Sequence, residues 1–231
     1  VYADRRVVEY VEDPAEEVSL VEAQKQNTNA EVGDILKVPV HSDKFGRIAT
    51  QNAKNVILQK IREEERKVLF DQYHGNEKEV VTGIVQRVVG HNVSVNLGKA
   101  DAILAENEQV KGETFKPTER IKVYILEVKD TPKGPRILVS RTHPGLVKRL
   151  FESEVAEVKD GTVEIKSIAR EAGSRTKLAV WSNDPDVDPV GACVGVNGAR
   201  VSAIVNELRG EKIDIINWDE NPAILIENAL S

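Results

Sequence analysis

The residues best placed to do chemistry in this sequence lie between Asp188 and Ile204. There Asp188-Pro189-Val190-Gly191-Ala192-Cys193-Val194 runs into Gly195-Val196-Asn197-Gly198 and then into Ala199-Arg200-Val201-Ser202-Ala203-Ile204. Two glycines three positions apart let a backbone turn pass close to a ligand, and a helix starting at Ala199 offers free N–H groups to a phosphate. Two nucleotide motifs built on the same physics are excluded. A P-loop needs Lys and then Ser or Thr after its last glycine, and Ala199-Arg200 follows Gly198; a dinucleotide fingerprint needs glycine where Cys193 stands. Asp184, Asp186 and Asp188 alternate like the start of a calcium loop, but its glycine position holds Pro189 and its bidentate Glu position holds Gly195. Asp188 is instead read as the cap of a helix with Pro189 in its first turn.

Catalytic chemistry has no comparable foothold. His41, His74, His91 and His143 are scattered, with no HExxH pair and no GxSxG elbow, so no cofactor or metal is implied and the chain reads as a non-enzyme. The single cysteine, Cys193, excludes a disulfide framework and a multi-cysteine zinc site and fits a reducing, cytoplasmic compartment. No stretch has the uncharged apolar length needed to cross a bilayer, so no membrane partner is expected. With four Phe, four Tyr and two Trp in 231 residues, the cores must be aliphatic and aromatic stacking surfaces sparing.

The net charge of −6 argues at first against a polyanionic partner. Its distribution is uneven: residues 75–143 hold 11 basic and 9 acidic side chains, net +2, whereas both flanking segments are net acidic. Within that middle third Lys129, Lys133, Arg136 and Arg141 cluster around the turn Pro132-Lys133-Gly134-Pro135. The same charges would also suit a solvated turn.

The elements that must position these residues follow from periodicity. Ala49, Ala53, Val56, Ile57, Ile61 and Val68 share a helical face, predicting one long connector helix, weakly packed in its second half, that pairs Glu63 with Lys67 and stops near Gly75. Arg5 to Tyr10 and Asp34 to Val40 read as short strands before it. From Val80 to Arg141, five β-branched runs (80–89, 93–97, 102–104, 121–128 and 137–140) predict a small OB-type barrel, with His91 exposed in the hairpin Gly90-His91-Asn92. After Pro144 the order is α-β-β-α-α-β, with helices at 146–151, 190–194 and 199–208 and strands at 162–168, 177–181 and 213–218. An isolated GxxG is more often a plain helix–helix turn, but inside this order it has the features of a KH clamp on single-stranded nucleic acid.

Several runs carry a family resemblance. Phe45-Gly46-Arg47-Ile48-Ala49-Thr50-Gln51, Thr82-Gly83-Ile84-Val85, Ser140-Arg141-Thr142-His143-Pro144, the stretch Asp188 to Gly195, and Gly210-Glu211-Lys212-Ile213-Asp214-Ile215 are similar to the NusA family of bacterial transcription elongation, termination and antitermination factors. The resemblance covers nearly the whole chain. It implies an α+β multidomain protein with three parts: a partial N-terminal α/β RNA polymerase-binding domain and long connector helix (1–74), a five-stranded OB-fold RNA-binding domain of the ribosomal-protein type (75–143), and a first, type II KH domain (144–231). The start of the N-terminal domain and a second KH domain are expected to lie outside the chain. Single-stranded nascent RNA, RNA polymerase and further elongation and antitermination factors are the implied partners, and pausing, termination and antitermination the implied processes.

The expected RNA contacts are Gly195, Val196, Asn197, Gly198 and Arg200 at the clamp, and Lys129, Lys133, Arg136 and Arg141 on the barrel. Two other classes compete. Barrel-plus-KH pairs also accompany exonucleases, so a non-catalytic RNA-binding subunit of an RNA-degradation assembly is the runner-up, and the net acidity suits a protein-interaction scaffold.

Overall fold

The computed structural model describes residues 2–39 and 47–230. Val40, His41, Phe45 and Gly46 lie outside the described residues. Two compact units, 1–63 and 64–231, divide within a long helix.

In the first unit β1 (Tyr2–Val8) is central, parallel to β2 (Glu17–Ser19) and antiparallel to β3 (Ile35–Pro39). Between β2 and β3 runs α1 (Leu20–Gln26), capped by Ser19 Oγ, which accepts from Glu22 N–H at 3.3 Å. Its small core is Val7, Val18, Ala23 and Ala30. β2 and α1 escaped the sequence reading, because three residues of strand and two turns of helix are too short to show a period.

The helix α2 (Arg47–His74) exists as expected but differs in detail. Glu63 makes a salt bridge back to Lys60 at 2.7 Å. Its last turns are anything but weakly packed: Tyr73 is buried, its hydroxyl donates to Leu97 O at 3.1 Å, and Leu69 and Phe70 pack beside it on the barrel core. Val68, expected to share the apolar face, is 63% exposed. The left-handed residue after the helix is Lys78, φ 64°, and Gly75 does not play that part.

The barrel closes in the order β4 (Val80–Val89), β5 (Asn92–Asn96), β6 (Asp101–Leu104), β8 (Arg136–Ser140), β7 (Arg120–Lys129), with β6 and β8 parallel and all other pairs antiparallel. Alternate residues fill it, Val93 and Val95 from β5 and Ile137 and Val139 from β8. On β7 the inward set begins Ile121, Val123, Ile125 and then jumps to Val128, because the register with β8 shifts between Ile125 and Glu127.

The opposite face of β7 serves a second core. Tyr124 joins Leu146, Leu150 and Phe151 of α3 (Pro144–Glu154), Val163 of β9 (Val163–Glu171), Leu178 and Val180 of β10 (Arg175–Ser182), Cys193 of α5 (Pro189–Val194), and Ile204 of α6 (Ala199–Glu207). Each such buried side chain contributes about 2 kcal/mol of apolar transfer. The sheet order is β11 (Lys212–Asn217), β10, β9, with β10 parallel to β11 and antiparallel to β9. The observed helix–strand order is the expected one, extended by the short α4 (Ala156–Lys159) and by α7 (Pro222–Leu230). His143 caps α3 by accepting from Gly145 N–H at 3.0 Å and stacks on Tyr124 at 4.6 Å and 6°. Gly145 has to be glycine, since a Cβ would meet the Tyr124 ring at 2.6 Å.

Barrel and KH domain are joined by buried charge. Arg141 is 1% exposed; its Nε and Nη2 donate to Glu113 at 2.7 and 2.5 Å, Nη1 to Lys122 O at 2.8 Å, and Nη2 to Glu207 O at 3.1 Å. Removing one partner of such a pair strands the other charge, whereas replacing both with apolar groups is far milder. Arg141→Met should therefore lower unfolding free energy by about 3–5 kcal/mol, and adding Glu113→Leu should restore most of the loss, as read by denaturant titration.

Candidate nucleic-acid interface

The clamp residues form as the glycine spacing requires. Asp188 Oδ1 accepts from Val190 N–H at 3.1 Å, Pro189 opens α5, and the helix ends at Gly195 with φ 74°. Asn197 (φ 53°) and Gly198 (φ 72°) are left-handed, which reverses the chain into α6 with no side chain capping its first N–H groups. Val196 is 84% exposed and Asn197 is exposed, so the tip of the turn faces solvent with open backbone.

Arg200 is held in part by the scaffold. Its Nη1 donates to Ala192 O at 2.7 Å and to Glu157 at 2.9 Å, and a Cβ on Gly195 would meet the Arg200 stem at 2.8 Å. A carbonyl left open at the end of α5, with a carboxylate beside it, draws one face of the guanidinium inward, while the side chain keeps about a third of its surface exposed beside the turn. Gly195 is where this brace crosses the turn.

Arg141 requires a correction. Its Glu113 pair and its burial remove it from any surface path. The other three barrel cations are exposed on the β7–β8 hairpin: Lys129 faces Arg136 in register, and Lys133 sits at a tip held by Gly134 N–H donating to Thr131 O at 2.8 Å. Lys129 also meets Glu127 at 2.9 Å, whereas Lys133 and Arg136 have no ion pair among the described residues. Arg66 adds a fourth cation by donating to Pro132 O at 2.6 Å. His91 is exposed 3.6 Å from Glu106.

Hairpin and clamp are not brought together. They are the far ends of two arms that meet where Lys122 N–H donates to Glu207 at 3.1 Å. From that point β7 runs about 23 Å to Lys129, and α6 about 12 Å to Ala199.

A groove of about 600 Å³ was missed by the sequence reading. It runs between the start of α5 and strand β11 and is lined by Asp188, Val190, Arg175, Lys177, Asp214 and Asn217, with Asn228 of α7 at its border. Arg175 hydrogen-bonds Asp214 and holds its carboxyl below the usual range, and Lys177 lies 3.7 Å from the same carboxylate. Asp214 stands in the quoted run Gly210 to Ile215, but Arg175 and Lys177 come from a different strand, so only the parallel pairing of β10 with β11 assembles them.

The same pairing sets a buried node. Glu211 accepts from Arg170 at 2.9 and 2.8 Å, from Thr176 at 2.5 Å and from Gly173 N–H at 2.9 Å, while Arg170 also donates to His143 O at 3.0 Å. Burial raises the carboxyl pKa, and these donors more than reverse that, leaving it lowered.

Models of three families match in succession: the NusA N-terminal domain over residues 1–67, the S1 RNA binding domain over 75–140 and the NusA-like first KH domain over 141–218. The transcription termination/antitermination protein NusA of Bacillus subtilis (strain 168) is 54% identical over 231 residues, all of this chain and 62% of that protein. The chain belongs to the NusA family. Its relative in Halalkalibacterium halodurans is 52% identical over all of this chain and 60% of that protein, and that of Thermus thermophilus is 45% identical over 98% and 59%. The chain spans about three fifths of the length of these NusA proteins. Its S1 and KH domains are RNA-binding types, and the α+β multidomain architecture is that of the family.

Because the folded pKa of Glu211 lies below its unfolded value near 4.5, its contribution to stability is complete above that value and disappears as pH falls through the folded pKa. Glu211→Gln should destabilise the chain by about 3 kcal/mol at neutral pH by stranding Arg170. Denaturation curves taken across the acid range should then show a smaller gap between variant and parent at the lowest pH.

Proposed function

We propose that the chain holds single-stranded nascent RNA and acts, without catalysing a reaction, as a transcription factor that modulates pausing, termination and antitermination in the cytoplasm. The observation that carries this reading is the solvent-facing Gly195-Val196-Asn197-Gly198 turn, with two left-handed glycines and an uncapped α6 behind it. RNA backbone would meet the turn and the Arg175–Lys177 groove, and the Lys129–Lys133–Arg136 hairpin would take a second stretch electrostatically. The division of labour is 1–74 for RNA polymerase, 75–143 for the barrel's RNA contact and 144–231 for the KH contact, with further elongation and antitermination factors joining the complex. The relatives' names, transcription termination/antitermination proteins, support the role in termination and antitermination.

Val196→Asp combined with Asn197→Asp keeps both glycines but puts two carboxylates where phosphate would approach, competing for the N–H groups of α6. Affinity for a labelled single-stranded RNA should fall at least tenfold, about 1.4 kcal/mol, in fluorescence anisotropy, with thermal melting unchanged. Unchanged affinity in the folded variant would make the loop a mere turn.

Polymerase docking calls for a cut at residue 64 rather than 75, since Tyr73 belongs to the barrel core. A 64–231 fragment should bind RNA like the whole chain but lose purified RNA polymerase in a nuclease-treated pull-down. Equal capture by fragment and whole chain would sink the assignment of polymerase docking to the N-terminal segment.

A further inference from the structure

Beside the groove on the KH domain, and sharing Asn217 with it, lies a separate cavity of about 520 Å³ whose character is different. Its walls are Trp181 at the end of β10, Trp218 just past β11, and Pro185, Val187 and Pro189 of the segment leading into α5. The two indoles meet edge to face at 5.8 Å and 85°, and Trp181 remains 44% exposed. They are the only tryptophans in the chain. Asp184 and Asp219 stand on the rim. Their carboxylates make only turn hydrogen bonds, to Asp186 N–H at 3.0 Å and Asn221 N–H at 2.7 Å, and neither has an ion pair among the described residues. Exposed Asp186 and Glu220 add to the negative field.

Indole faces hold cations as well as nucleobases, and here the charge decides between them. A nucleotide would bring its phosphate toward the Asp184 and Asp219 carboxylates, and Lys166, which lies by the Trp218 ring, is committed to Glu164. A guanidinium would stack on indole and meet unpaired carboxylates. The site already does a weaker version of this within the chain, since Lys166 Nζ lies 5.7 Å from the Trp218 ring centre.

We infer that the Trp181–Trp218 cavity is a receptor for an arginine side chain carried by an extended basic segment of a protein partner. This site adjoins the Arg175–Lys177 groove at Asn217 and does not depend on the RNA contacts proposed above.

Because the only two tryptophans line the cavity, their emission reports its occupancy. The probe is a capped Gly-Arg-Gly-Arg-Gly peptide, titrated into the whole chain to millimolar concentration, with the same peptide carrying citrulline in place of arginine as the neutral isostere. A saturable change with the arginine peptide, at least fivefold weaker with citrulline, is expected. Asp184→Asn with Asp219→Asn keeps both turn acceptors and both indoles, and should abolish the preference for arginine over citrulline without altering thermal melting. The Val196→Asp, Asn197→Asp variant should respond to the peptide like the parent, so its loss of RNA bears only on the clamp. Equal response to both peptides, or none, overturns the inference; so does a larger emission change with oligouridylate than with the arginine peptide, which would make the cavity a base-stacking site.

Discussion

A fully buried guanidinium is the constraint on which the union of barrel and KH domain depends. Arg141 leaves the last barrel strand, reaches Glu113 with two donors, and spends its others on the carbonyls of Lys122 in β7 and Glu207 in α6. Withdrawing this charge from water is costly, and only a geometry that satisfies every donor offsets it. Shifting barrel against KH domain would break the bonds of Arg141 to Lys122 O and Glu207 O, so the buried charge disfavours other placements. Arg209 extends the seam, 4.0 Å from Glu113 and paired with Glu119 at 2.9 Å.

Strand β7 transmits that placement. One face completes the barrel and the other, through Tyr124, completes the KH core, so neither domain can shift without opening both. The stack of Tyr124 on His143 and the tie of Arg170 to His143 O fix the first turn of α3, and with it the sheet carrying Arg175 and Lys177. The exposed hairpin and the GxxG turn are then separate ends of one compact unit.

The surface divides by charge in a way the total of −6 conceals. Cations gather at the hairpin tip and at the start of β10, while unpaired carboxylates gather around the two indoles at the far end of the same sheet.

By itself the sequence determined the element types and their order in the barrel and KH domain, because β-branched runs with period two and helical faces with period 3.6 are local signals. It also determined the glycine turn, since only glycine tolerates the positive φ and close approach at Gly195, and Asp188-Pro189 is a favoured helix opening. The assignment of Arg141 to a surface path failed, and that of Arg200 missed its brace, for one reason. A basic residue near a turn reads as a surface charge, and whether it is one depends on a carboxylate 28 residues away for Arg141 and 43 for Arg200. The packed end of α2, the Arg175–Lys177 groove and the pairing of Trp181 with Trp218 likewise join residues from separate elements. Periodicity cannot report such meetings; they were decided when β7 was shared between two cores and β11 paired parallel to β10, because only those tertiary choices set which distant side chains come within reach.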